Sequence, residues 1–448
     1  MSHPYIHRKE HNAMAKLEYD KTGRLLFTKE MKSEYTLLVP QMLPMHFALM
    51  VRVLQTEGYK VEMLNTTGRS ILDYGQKYVH NDACFPAILV IGQLIDAVKS
   101  GRYDPHKVAL IITQTGGGCR ASNYIHMLRK ALEKADLGFV PVVSLNLSGL
   151  EKNPGFKMTV GFVRKAIFAV FYGDLLMNLA NQVRPYELNP GDTGRAADEC
   201  MDFLLDEFNR GQGITHRSML ENFQRIIDRF KAVPVSGEEK VRVGIVGEIY
   251  VKYSPLGNNN LEQFLLSEGA EPVVPGLADF VIFKIYNRDV DVDLYGGHWA
   301  KQAFCRFFAG YIKKKQRAMI DAIRTDGHFR APGDFDELHR GIKGYLGDGN
   351  KMGEGWLLTA EMLELIHSGV PNIVCTQPFG CLPNHIVGKG MIRRLKDDYP
   401  NSNIVAIDYD PGATKINQEN RVKLMLANAR ALAKKEAAPA GEPAGARA

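Results

Sequence analysis

Ile112-Thr113-Gln114-Thr115-Gly116-Gly117-Gly118-Cys119-Arg120-Ala121-Ser122-Asn123 lies between two patterned stretches. The apolar run at 108–112 before it predicts a buried parallel strand, and the apolar spacing over 124–135 after it predicts a helix. Strand, glycine turn, cysteine, helix is an α/β arrangement. Three glycines let the backbone take positive φ and bring its N–H groups close to a ligand. Cys119 then stands at a helix N-terminus with Arg120 beside it, and both favour a thiolate. Gly116, Gly117, Gly118 and Arg120 are therefore expected to cradle a bound group, with Cys119 as metal ligand or nucleophile. The alternative is a small buried cysteine beside an ordinary strand-to-helix turn.

Working outward, residues 35–157 alternate strand and helix patterns, as a parallel sheet with right-handed crossovers requires. Residues 158–235 carry helical spacing alone. A second α/β unit spans 236–434, interrupted at about 285–352 by an aromatic and basic helical insertion. Residues 1–34 read as a peripheral start, and 435–448, rich in Ala, Pro and Gly, as a disordered tail. The fold class expected is α/β: two Rossmann-like open parallel-sheet domains, a helical middle module and a helical insertion.

The chain has 448 residues, 45% hydrophobic and 24% charged, with a formal charge of +6. Its Lys and Arg are scattered, which argues against nucleic acid. The polar, His-rich start is no signal peptide, and no apolar run approaches the roughly 20 residues that span a bilayer. A cytoplasmic protein without membrane contact is expected, with its six cysteines as reduced thiols.

Two further cysteines share the setting of Cys119. Cys84, in Asn81-Asp82-Ala83-Cys84-Phe85-Pro86-Ala87, precedes a long helix with Pro86 in its first turn. Cys381, in Gln377-Pro378-Phe379-Gly380-Cys381-Leu382-Pro383-Asn384-His385, lies between a strand and a helix. Loops at the carboxyl ends of open α/β sheets converge on the ligand crevice. Three thiolates there suit an iron–sulfur cluster with one non-cysteine ligand, or a zinc site with an open position. Three unrelated turn cysteines is the third reading. Cys375 ends an apolar strand as a fourth ligand or as core, and Cys200 and Cys305 sit in helical patterns that favour burial. Glu248 after Gly247, Glu354 within Gly353-Glu354-Gly355-Trp356, and His385 are candidate proton-transfer groups, with helix capping the default for the two glutamates. Neither a GxGxxG fingerprint nor a Walker A loop is present, so ATP hydrolysis is not expected of this chain.

The Asn81–Ala87, Gln114–Tyr124 and Gln377–His385 motifs resemble those of the 2-hydroxyacyl-CoA dehydratase and benzoyl-CoA reductase superfamily. The similarity is closest to the dehydratase-like C-terminal half of large activase-fused proteins and covers about 35–430. It implies a [4Fe–4S] or related cluster held by Cys84, Cys119 and Cys381, with Cys375 a possible addition. It also implies an ATP-dependent activase, here a separate protein, that injects a low-potential electron. In the superfamily, reduction of a thioester to a ketyl radical permits loss of an otherwise unreactive β-hydrogen and a hydroxyl. An oxygen-sensitive dehydratase-like or reductase component, an acyl-CoA substrate and a homo- or heterodimer are the expectations that follow. A non-catalytic cluster-binding or assembly module and a zinc protein using the same cysteines are the rival readings.

Overall fold

Eight strands form two sheets in a computed structural model that describes residues 15–80, 82–114, 117–146 and 151–437. The first sheet holds β1 (Thr36–Pro40), β2 (Lys60–Leu64), β3 (Val108–Thr113) and β4 (Val142–Leu145) in the order β2-β1-β3-β4. The second holds β5 (Val241–Gly247), β6 (Ala270–Val273), β7 (Asn372–Pro378) and β8 (Asn403–Tyr409) in the order β6-β5-β7-β8. Every pairing is parallel, and the two sheets repeat one topology. This is the α/β, Rossmann-like architecture that the alternating pattern predicts.

Parallel strands bury both faces, so neighbouring residues enter different cores. Leu37, Ile111, Val246 and Ile373 pack in one apolar cluster; Leu38, Leu110, Ile245 and Val374 pack in the other. Each cluster draws on both sheets, so the two halves share their interior.

The middle helices occupy Val160–Val183, Asp192–Asn209 and His216–Lys231. Asp174 lies inside the first of these. Its carboxylate meets His46 Nε2 at 2.8 Å and accepts the backbone N–H groups of Leu277 (2.6 Å) and Ala278 (2.8 Å). One buried carboxylate thus joins the helix Pro44–Thr56, the middle module and the N-terminus of the helix Leu277–Tyr295. That last helix runs through position 285 and leads into the helical insertion. The long helix Trp299–Asp326 follows, with Trp299, Phe304 and Phe307 exposed near its start.

Several expectations need correction. The start of the chain is not peripheral from Phe27 onward: Phe27 and Met31 are fully buried, and Thr28 caps the helix Lys29–Glu34. A helix at Arg69–Tyr78, absent from the sequence reading, packs on the helix Phe85–Lys99. The helix expected after Cys381 is broken into a π-helical turn (Asn384–Gly388), a 3₁₀ turn (Lys389–Met391) and the helix Ile392–Asp398. Asn384 donates to Thr376 O at 2.7 Å and Thr359 donates to Val387 O, which ties the turn to β7 and a neighbouring helix. The last helix runs Lys415–Ala437, and the rest of the expected tail lies outside the described residues. Among the described residues no helix is long and apolar enough to cross a membrane.

A buried ion pair fixes the spacing of two site loops. Lys252 Nζ, on the helix after Glu248, lies 2.8 Å from Glu361 Oε1, on the helix after Glu354. Burial holds the Glu361 carboxyl above its ordinary range although Lys252 pulls it down. Removing one partner strands the other, so Lys252→Met should cost about 3–5 kcal/mol near pH 8. The loss should shrink at acidic pH as Glu361 takes up a proton; urea unfolding at both pH values measures it.

Candidate functional site

β3 delivers the chain to Cys119 and β7 delivers it to Cys381, as the sequence predicts. Cys84 differs: it joins two helices, Arg69–Tyr78 and Phe85–Lys99, and stands at the N-cap of the second. The three loops meet. Phe85 N–H donates to Phe379 O at 2.9 Å, locking the Cys84 turn onto the Cys381 loop. Gly380, at φ +73°, passes so close that a Cβ there would stand 3.0 Å from Cys84 Cα. Gly353, at φ +60°, leaves no room either: its Cβ would lie 3.1 Å from Pro383 Cγ and 3.9 Å from Cys119 Sγ. Side chains at these two positions would push the loops apart.

The two glutamates join the same crevice. Glu248 Oε2 accepts Val251 N–H at 3.0 Å, capping its own helix, while Glu354 Oε1 accepts Ile249 N–H at 3.1 Å across from the other loop. Burial and then Glu354 push the Glu248 carboxyl up to about 8. Each of Cys84, Cys119 and Cys381 lies within electrostatic reach of Glu248, and both Cys84 and Cys381 within reach of Cys119.

Burial raises all three thiols, Cys84 to about 11. This reverses the expectation that the turn would favour a thiolate at Cys119. That residue caps only a four-residue 3₁₀ turn, Arg120–Asn123. Arg120 is exposed and donates to Asp82 O, on the turn that leads to Cys84. Desolvation of the sulfur therefore outweighs the local positive charge.

The glycine turn also differs from expectation. Gly117 and Gly118 are exposed and neither takes positive φ; a Cβ at Gly118 would meet the exposed end of the Met352 side chain, which must then shift. Gly116, with Thr115 and Asn81, lies outside the described residues. The turn is shaped by Ser122, whose hydroxyl donates to Gly117 O (2.7 Å) and Cys119 O (2.6 Å).

Two other sequence candidates stand apart. Cys375 is fully buried in the sheet, its thiol 3.6 Å from Asn384 Oδ1, and the site thiols are not among the charges that influence it. His385 is exposed on the π-helical turn. Conversely, the structure adds three residues. Tyr124 OH lies 2.8 Å from Cys84 Sγ, and burial holds the phenol protonated, so it has a proton to donate once the sulfur is a thiolate. Lys284 reaches in from the insertion and donates to Gly353 O at 2.5 Å. Gln377, one residue beyond Thr376, which pairs with Gly247, is fully buried, and neither atom of its amide has a hydrogen-bond partner. A polar residue ending an apolar strand was the available signal for Gln377. Nothing local marks Lys284.

Three soft donors on loops that meet suit a thiolate-bound metal group: burial keeps the thiols neutral until a cation compensates the charge. A single ion fits less well. Zinc needs thiolates about 2.3 Å from one point, and among the described residues no group of three or more His, Cys, Asp or Glu is placed to hold a metal ion. No protein-family model matches the chain, and no curated protein matches it significantly.

The Glu248 shift has a sign that can be tested. Its folded carboxyl releases its proton near 8, the unfolded one near 4.5. Between these values the folded chain holds more protons, so stability falls as pH rises. Glu248→Gln keeps an acceptor for Val251 N–H and removes the charge. Thermal melts from pH 5 to 9 should show a flatter decline, with the variant matching the wild type at pH 5 and exceeding it at pH 9.

Proposed function

We propose that this chain is the iron–sulfur component of a 2-hydroxyacyl-CoA dehydratase-like or related low-potential reductase system. A [4Fe–4S] or related cluster is held by Cys84, Cys119 and Cys381. The observation that carries the reading is the meeting of these three thiols, from three separate loops, beside Glu248 and Glu354. A cluster, with several iron atoms, takes its thiolates from positions farther apart than a single ion does. Among the described residues no three donors gather around a single ion, which favours a cluster over zinc. Cys375 is left out of the ligand set because its thiol faces Asn384.

When bound, such a cluster supplies a low-potential electron, received from a separate ATP-dependent activator. The chain's own residues do the rest. Tyr124 donates a hydrogen bond to the Cys84 sulfur, an interaction that tunes cluster potential. Glu248, protonated at neutral pH, holds a proton at the crevice, where an acyl-CoA carbonyl or leaving hydroxyl needs one. Gln377 offers a buried donor and acceptor to orient that substrate. The reading is of an oxygen-sensitive cytoplasmic component that works as a homo- or heterodimer. The exposed Trp299, Phe304 and Phe307 offer a surface for the second subunit.

Anaerobic purification, iron and acid-labile sulfide assay, and EPR of the titanium-reduced protein test this. Stoichiometric iron and sulfide with a reduced-cluster signal are expected; zinc, or no metal after reconstitution, overturns the reading. Cys119→Ser should lose or alter the cluster, whereas Cys375→Ser should retain it in full.

A further inference from the structure

Lys284 belongs to the helix Leu277–Tyr295, far in sequence from every cysteine of the site. Its ammonium donates to Gly353 O, and Gly353 is the residue whose Cβ would approach Cys119 Sγ. The stem passes by Phe280 and Phe283, with the ammonium 5.1 and 5.6 Å from their ring centroids. Glu354 and Cys119 both lie within its electrostatic reach, but the Glu354 carboxylate accepts from Ile249 N–H instead. The carbonyl contact satisfies one N–H and leaves the charge unneutralised.

The other cations near the crevice differ: Lys252 pairs with Glu361, Lys351 pairs with Asp291, and Arg120 is exposed to solvent. Among the described residues, Lys284 is thus the partly buried cation beside the three thiols and two glutamates with no carboxylate hydrogen-bonded to it. Once those sulfurs carry a metal group, the site becomes anionic, and a half-buried ammonium beside it acts through a weakly screened field.

We infer that Lys284 is a positioning residue that supplies the counter-charge for the group bound at Cys119 and so sets its reduction potential. The inference rests on the cluster reading above. Reduction adds one electron to the bound group and raises its negative charge, so a fixed cation stabilises the reduced state more than the oxidised one. Taking the charge away makes reduction harder.

The contact with Gly353 O gives Lys284 a structural duty as well, and two substitutions separate the duties. Lys284→Gln keeps a donor for Gly353 O and removes the charge; Lys284→Arg keeps both. The full-length protein, reconstituted anaerobically, is assayed for iron and sulfide and then titrated with a low-potential reductant under EPR. The expected result is unchanged iron and sulfide in both variants, a more negative midpoint potential for Lys284→Gln, and a near wild-type midpoint for Lys284→Arg. A full cluster with an unmoved midpoint in Lys284→Gln overturns the role of Lys284 and leaves the cluster standing. Loss of the cluster in Lys284→Gln but not in Lys284→Arg shows the charge to be required for binding, which supports the counter-charge. Loss in both makes Lys284 structural only and overturns it. A wild-type chain without iron overturns both readings together.

Discussion

A buried carboxylate at Asp174 sets the relation between the parts of this protein. It accepts two backbone N–H groups at the start of the insertion helix and meets His46 from the first sheet's outer helix. A charged group so enclosed is tolerated only where such donors converge on it. Gly276 supplies the clearance, since a Cβ there would stand 2.8 Å from the carboxylate. The helix Leu277–Tyr295 is thereby aimed at its first turn, and Lys284, on the same helix, is carried to the Gly353 loop. The chemistry at one edge of the molecule is thus placed by a contact in its middle.

Much of this was legible in the sequence where local pattern and tertiary outcome agree. β3 falls on the predicted run because an apolar stretch ending in glycines has few other uses in a parallel sheet. Cys119 and Cys381 share the strand-end setting that the sequence suggests, whereas Cys84 reaches them from a turn between two helices. What escaped depends on groups distant in the chain. Tyr124 looks like the first residue of an amphipathic helix until Cys84 stands opposite it. The break after Asn384 is imposed by Thr376 and Thr359, and the burial of Phe27 and Met31 by the shared core. Arg120 misled because adjacency in sequence says nothing of where a long side chain ends.

The thiols show two opposing effects of one location. A helix start offers partial positive charge, and a crevice between loops removes water. The first favours ionisation modestly and only within a turn; the second disfavours it strongly. Cys119 and Cys84 both have the first, and both are dominated by the second. Glu248 is held neutral by the same absence of water and by the neighbouring Glu354. The crevice is a place where negative charge accumulates only if something brought into it carries the compensation.

The three loops also have an order in time. Cys84 and Cys119 belong to the first sheet's half, and Cys381 to the last quarter of the chain. During synthesis the first two thiols emerge long before the third leaves the ribosome, and the core shared by the two sheets is completed only when the second sheet arrives. The clasp between Phe85 and Phe379 closes only then. Until that moment the cysteines are open to oxidants and stray metals, and the nascent chain is at its most vulnerable with its architecture half built.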